Sequence, residues 1–145
     1  MKEQPLECTL VLKRIYDAPI DAVWNAWTDP KSLGQWYVAG SDHVVHFCEA
    51  DVRVGGSYRV GFGPKGGTPY VESGRYTEVI PKTRLVFEES VSFEGKQLHT
   101  TITTVELRDL DGRTELILSS TGNEAWRTGE GWTPCLESLA AFLRA

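Results

Sequence analysis

The sequence predicts an α+β domain in which a curved antiparallel sheet wraps around one long C-terminal helix, with two short helices between the first two strands. Three observations predict it. From Trp132 to Arg144 apolar residues recur at helical spacing: Trp132, Leu136, Leu139, Ala140 and Leu143 share a face that Cys135 and Phe142 widen. From Val44 to Ser120 the period changes to two, over six strands separated by breaks of hairpin length. Ahead of that run, two short helical segments carry three tryptophans. Hairpins make the six strands an antiparallel meander, and a meander with one apolar face satisfies it by curling over the one long helix.

Taken in order, Thr9 to Tyr16 alternates Leu10, Leu12 and Arg14 against Val11, Lys13 and Ile15 and forms a first strand. Asp17-Ala18-Pro19 stops it. Pro19 is expected at the first position of a helix that aligns Ile20, Val23, Trp24 and Trp27, the two tryptophans reading as core. Asp29 is expected to cap a second helix, with Pro30 at its first position and Leu33, Trp36 and Tyr37 on one side. Val44 to Cys48 is the next strand, and Val54-Gly55-Gly56-Ser57 turns into one whose Tyr58, Val60 and Phe62 share a face. A Gly-rich tip at Gly63 to Gly67 leads to a strand from about Tyr70 to Ile80. After the Pro81-Lys82-Thr83 turn, Arg84 to Phe93 alternates, and Glu94-Gly95-Lys96 turns into a threonine-rich strand ending at Leu107. Asp111-Gly112 marks a tight hairpin before the last strand, Thr114 to Ser120. Thr133 is the expected N-cap of the final helix, with Pro134 at its first position.

At 145 residues the chain is expected to be a single domain over 1–145, as a monomer or homodimer. It is 41% hydrophobic and 24% charged, the composition of a soluble globular protein. A net charge of −5 removes the electrostatic footprint of a nucleic-acid binder. No apolar run reaches the ~20 residues of a membrane span, and the first residues lack the layout of a signal peptide, so a cytoplasmic location is expected. Cys8, Cys48 and Cys135 are odd in number and widely spaced, which reads as buried thiols and not as a disulfide framework. His43, His46, His99 and Cys48 show no metal-ligand spacing, and neither a metal nor a cofactor is expected.

A sheet wrapped on one helix encloses more volume than the helix fills, so an apolar pocket between them is the expected site. Tyr58, Phe62, Tyr70, Tyr76 and Phe87 face it by alternation, Trp132 and Leu136 from the helix, and Trp36 at the rim. Glu89 shares its period-two face with Leu85, Phe87, Val91 and Phe93. It is either an inward carboxyl of raised pKa, able to act as general acid or base, or a residue that a bulge returns to water. Glu72 beside Arg75, and His99 with Thr101 and Thr103, could likewise orient a ligand or be ordinary edge residues. No Ser-His-Asp or Cys-His arrangement is recognisable, so no catalytic residue is assigned.

The stretch from Asp17 to Tyr37, DAPIDAVWNAWTDPKSLGQWY, resembles the signature of AHSA1-like proteins, the "activator of Hsp90 ATPase homologue 1-like" branch of the START/Bet v 1-like (SRPBCC) superfamily. Val54 to Arg59, Gly74 to Phe87, Asp111 to Leu116 and Gly131 to Leu139 extend the resemblance in register over nearly the whole chain. Two places depart from the pattern: Tyr37 stands where a second tryptophan is usual, and Asn123 to Glu130 is short. The resemblance implies a helix-grip fold with a deep cavity. It also implies three functions: binding of an apolar or aromatic small molecule, a cyclase or dehydratase using Glu72, Glu89 or His99 for proton transfer, or recognition of an Hsp90-type chaperone ATPase.

Overall fold

The computed structural model describes residues 7–38, 42–123 and 132–144. The elements run β1 (Glu7–Tyr16), α1 (Ile20–Thr28), α2 (Pro30–Trp36), β2 (His43–Ala50), β3 (Ser57–Pro64), β4 (Tyr70–Ile80), β5 (Arg84–Phe93), β6 (Lys96–Asp109), β7 (Thr114–Asn123) and α3 (Trp132–Arg144). All seven strands form one antiparallel sheet in the order β1-β7-β6-β5-β4-β3-β2. Strands β2 to β7 are the expected meander, and β1 adds to its far end by pairing with β7. The sheet curls into a half-barrel around α3, a helix-grip fold. Register shifts at Val45/Phe47, Tyr76/Glu78 and Val91/Ser92 supply bulges, which bend and twist a strand locally. The last hairpin closes as expected, with Asp111 and Gly112 both at positive φ and the Leu110 N–H bonded to the Arg113 carbonyl.

The ends of the helices differ from expectation by small steps. Pro19 stands just outside α1 in extended conformation, and its carbonyl accepts from the Ala22 and Val23 amides. Thr133 is not a cap, because Trp132 before it is already helical; Pro134 still lies in the first turn, where its missing N–H is harmless. Asp29 serves two helices. Its N–H closes α1 on the Asn25 carbonyl, while its carboxylate accepts from the Lys31 amide and the Ser32 hydroxyl to open α2.

The core is the concave side of the sheet, filled by both helix faces. Val60, Leu85, Val105, Leu116 and Leu118 from the strands meet Val23, Leu33, Trp27 and Trp36 from α1 and α2. Trp132, Cys135, Leu136 and Leu139 from α3 complete it. Each such fully buried aliphatic side chain contributes roughly 1.5–3 kcal/mol relative to exposure. Two buried polar contacts tie the layers: the Tyr16 hydroxyl donates to the Leu136 carbonyl, and the Thr114 hydroxyl to that of Ala18. Cys48 and Cys135 are free thiols; the Cys8 side chain lies outside those described. No helix among the described residues is long and apolar enough to cross a membrane.

Candidate functional site

Register brings polar side chains from five adjacent strands to one place on the inner face. Tyr58 stands opposite Gly74, Gly74 opposite Glu89, Glu89 opposite Thr101, and Thr103 opposite Ser120. Glu72 lies one inward-facing step along β4 from Gly74. Position 74 has to be glycine for this arrangement: a Cβ there would stand 2.8 Å from the Tyr58 ring and collide with the Glu88 carbonyl. From above, the residue that follows α2, Tyr37, reaches in.

The Tyr37 and Tyr58 hydroxyls both donate to Oε2 of Glu72, at 2.7 and 2.8 Å. Thr101 donates to Oε1 of Glu89 at 2.7 Å, and Thr103 donates to the same oxygen. Having given its proton to Glu89, Thr103 accepts one from Ser120, with the two oxygens 2.9 Å apart. The two carboxyl groups adjoin, close enough for one to weigh on the ionisation of the other. Glu72 and Glu89 are 5% and 3% exposed, and the buried side chains include no Lys, Arg or His among the described residues.

Two adjoining carboxyls in a dry interior cannot both ionise. Burial, then the adjoining Glu89 carboxyl, push the Glu72 carboxyl well above the usual carboxylate range, against the pull of the two tyrosines. Glu72 therefore keeps its proton to higher pH than an ordinary carboxyl group does. Burial and then the Glu72 charge hold the Tyr37 and Tyr58 hydroxyls and the Cys135 thiol well above their ordinary values, so all three stay protonated. The tyrosine donors thus converge on Glu72 and the threonine donors on Glu89. Such a group can receive a hydrogen-bond donor from a ligand or accept a proton from one.

Most of the predicted site residues meet here. Tyr58, Glu72, Tyr76, Phe87, Glu89, Thr101, Trp132 and Leu136 are buried on the inner side. Glu89 is inward and not returned to water, while Arg75, expected beside Glu72, is exposed on the opposite face. Phe62 and Tyr70 stack on each other at 6.0 Å, in a ring cluster with Phe93 and His43. Trp36 is a correction: its indole is fully buried, donates to the Ala26 carbonyl at 2.9 Å and packs edge-on to Trp27 at 4.8 Å, so it lines no rim. His99 pairs with Val91 in the sheet, but its side chain lies outside those described. Tyr37 and Ser120 were missed as site residues. The signal for Tyr37 was its place in the motif, where tryptophan would put no hydroxyl.

The expected hollow is the second correction. Phe87 lies 5.7 Å from Tyr58 and 6.5 Å from Trp132, and Trp132 lies 5.7 Å from Tyr37. The void they leave, lined by Trp27, Leu33, Tyr37, Tyr58, Tyr76, Leu85 and Phe87, is about 10 Å³, about the room of one water. The sequence counted inward aromatics but not how fully they fill the space. Larger concavities lie outside: a polar trough of about 1020 Å³ across the outer face of the sheet, and a groove of about 450 Å³ where Gln35, His43, Glu137 and Ser138 meet.

A half-barrel of antiparallel strands gripping one C-terminal helix is the helix-grip architecture. The family described as "Activator of Hsp90 ATPase homolog 1-like protein" matches residues 17–144, and the chain belongs to that family. Among solved structures, the chain is similar to an uncharacterised protein from Rhizobium leguminosarum (22% identity, TM-score 0.84, covering 97% of each chain). It is also similar to one from Rhizobium loti (26%, 0.81, covering 97% of this chain and 100% of that one). A Chromobacterium violaceum protein compares at 29% identity and TM-score 0.79, covering 94% of this chain and 97% of that one. No curated protein matches the chain.

Proposed function

We propose that the protein binds a small, mostly apolar or aromatic molecule between the sheet and α3, with the Glu72–Glu89 pair setting its orientation. The observation that carries this reading is the carboxyl pair. Burying two carboxyl groups in an apolar core costs stability, and packing alone gains nothing from it. The reading does not rest on an open cavity: the ligand enters as the rings of Tyr37, Phe87 and Trp132 part. Burial at ~25 cal/mol per Å² of apolar surface drives binding, and a donor on the ligand meets Glu89. The expected ligand-lining set is Tyr58, Glu72, Tyr76, Phe87, Glu89, Thr101, Trp132 and Leu136, joined by Tyr37. Free thiols at Cys48 and Cys135 fit the cytoplasmic location we assign.

Calorimetric titration with naphthol, its methyl ether and naphthoate tests this. Naphthol should bind saturably, one per chain, with negative ΔCp, and more tightly than the ether or the anion. Glu89→Gln should narrow that order. Absence of saturable binding by any of the three overturns the reading.

The same pair favours a second reading, proton transfer within the interior as in a cyclase or dehydratase. It predicts turnover with a bell-shaped pH profile that loses one limb in Glu72→Gln or Glu89→Gln. Recognition of an Hsp90-type ATPase draws on the family description and the outer trough. It predicts a saturable complex and altered ATP turnover.

A further inference from the structure

Trp27 is 2% exposed, and its indole N–H has no hydrogen-bond partner among the described residues. A buried tryptophan N–H ordinarily finds an acceptor, and an orphan is a standing cost to the fold. The contrast lies one helix away, where Trp36 spends its N–H on the Ala26 carbonyl. Trp27 lines the interior void together with Tyr37 and Tyr58, the two residues whose hydroxyls hold Glu72. The void is therefore bordered by an unanswered donor at Trp27 and by the two tyrosines through which it adjoins the carboxyl pair. Apolar Leu33, Leu85 and Phe87 also line it.

We propose that Trp27 is a second polar contact of this interior site, and that the molecule bound there carries a carbonyl oxygen which accepts the Trp27 N–H. The inference rests on the small-molecule reading above and narrows the ligand to a neutral, two-ended compound. It has an apolar body, a carbonyl toward Trp27 and a hydroxyl or N–H toward Glu89. A carboxylate is disfavoured, because its charge would enter an interior that already holds Glu89.

The test compares acetonaphthone with ethylnaphthalene, which has nearly the same shape and no oxygen, on the wild-type protein and on Trp27→benzothienylalanine. That replacement keeps the ring shape and removes only the N–H. An unchanged thermal midpoint and near-ultraviolet circular dichroism show that it folds. The ketone should bind the wild type roughly 5–10-fold more tightly than the hydrocarbon, the effect of one net hydrogen bond. The difference should vanish in the substituted protein. Equal binding of both probes, or a difference that survives the substitution, overturns the role of Trp27 and leaves the small-molecule reading standing. Failure of both probes and of naphthol to bind overturns the two together.

Discussion

The inner face of the sheet has two halves built on the same strands. Toward one end, Leu85, Val105, Leu107, Leu116 and Leu118 make an apolar floor under α1 and α3. Toward the other, Glu72, Glu89, Thr101, Thr103 and Ser120 occupy inward positions of neighbouring registers and are as deeply buried. The backbone does not distinguish the halves; both are antiparallel and continuous. The apolar half is optimised for stability. The polar half satisfies its hydrogen bonds internally and holds two carboxyl groups away from water. Deep burial on this sheet therefore does not mean that a residue is present for packing.

Changes on the two sides should differ in size and in pH dependence. Leu118→Ala, in the apolar half, should cost about 2–5 kcal/mol, read from the urea midpoint at constant m-value, because a fully buried leucine leaves a cavity. Glu89→Ala strands the donors that converge on it, and each orphan costs about 1–3 kcal/mol. It should approach the leucine change despite removing a polar group from the core. Tyr37→Phe removes one of two donors to Glu72 and should cost about 0.5–1.5 kcal/mol.

Glu72→Gln gives the sharpest contrast. The folded pKa of Glu72 is raised above its ordinary 4.5, so between those values the folded protein holds a proton that the unfolded chain releases. Its contribution to stability is complete below about pH 4.5 and is lost as pH rises toward the folded value. Wild-type stability should fall across that window, and Glu72→Gln should flatten the slope. Tyr37→Phe, by removing a hydrogen bond that lowers the Glu72 pKa, should carry the slope to higher pH. Urea midpoints at a series of pH values decide both. Arg84→Ala belongs to neither half. Its exposed pairs with Glu78 and Glu106 predict a loss of roughly 0–1 kcal/mol, the baseline for the other changes.

The sequence read the architecture well because period and turn chemistry are local. Tyr58, Val60 and Phe62 announce their face by alternation, and Asp111-Gly112 announces its hairpin. Half of the candidate site was legible for the same reason: Glu89 sits in phase with Leu85 and Phe87, whatever its neighbours. What joins Glu89 to Glu72, Thr103 to Ser120, and Tyr37 to all of them is register across strands and the angle of α2. Neither is written in any one segment. The filled interior was illegible too, since packing depends on ring orientations that a list of inward residues does not fix.

Asp29 ends α1 and begins α2 with a single residue, and therefore sets the angle between two short rods. Trp27 rides on the first and Tyr37 follows the second, so one aspartate sets the spacing between an indole N–H that has no partner among the described residues and a phenol bonded to Glu72. A shift in that corner would move indole and phenol relative to one another without altering either side chain; on the small-molecule reading proposed above, position 29 would then tune selectivity from a distance.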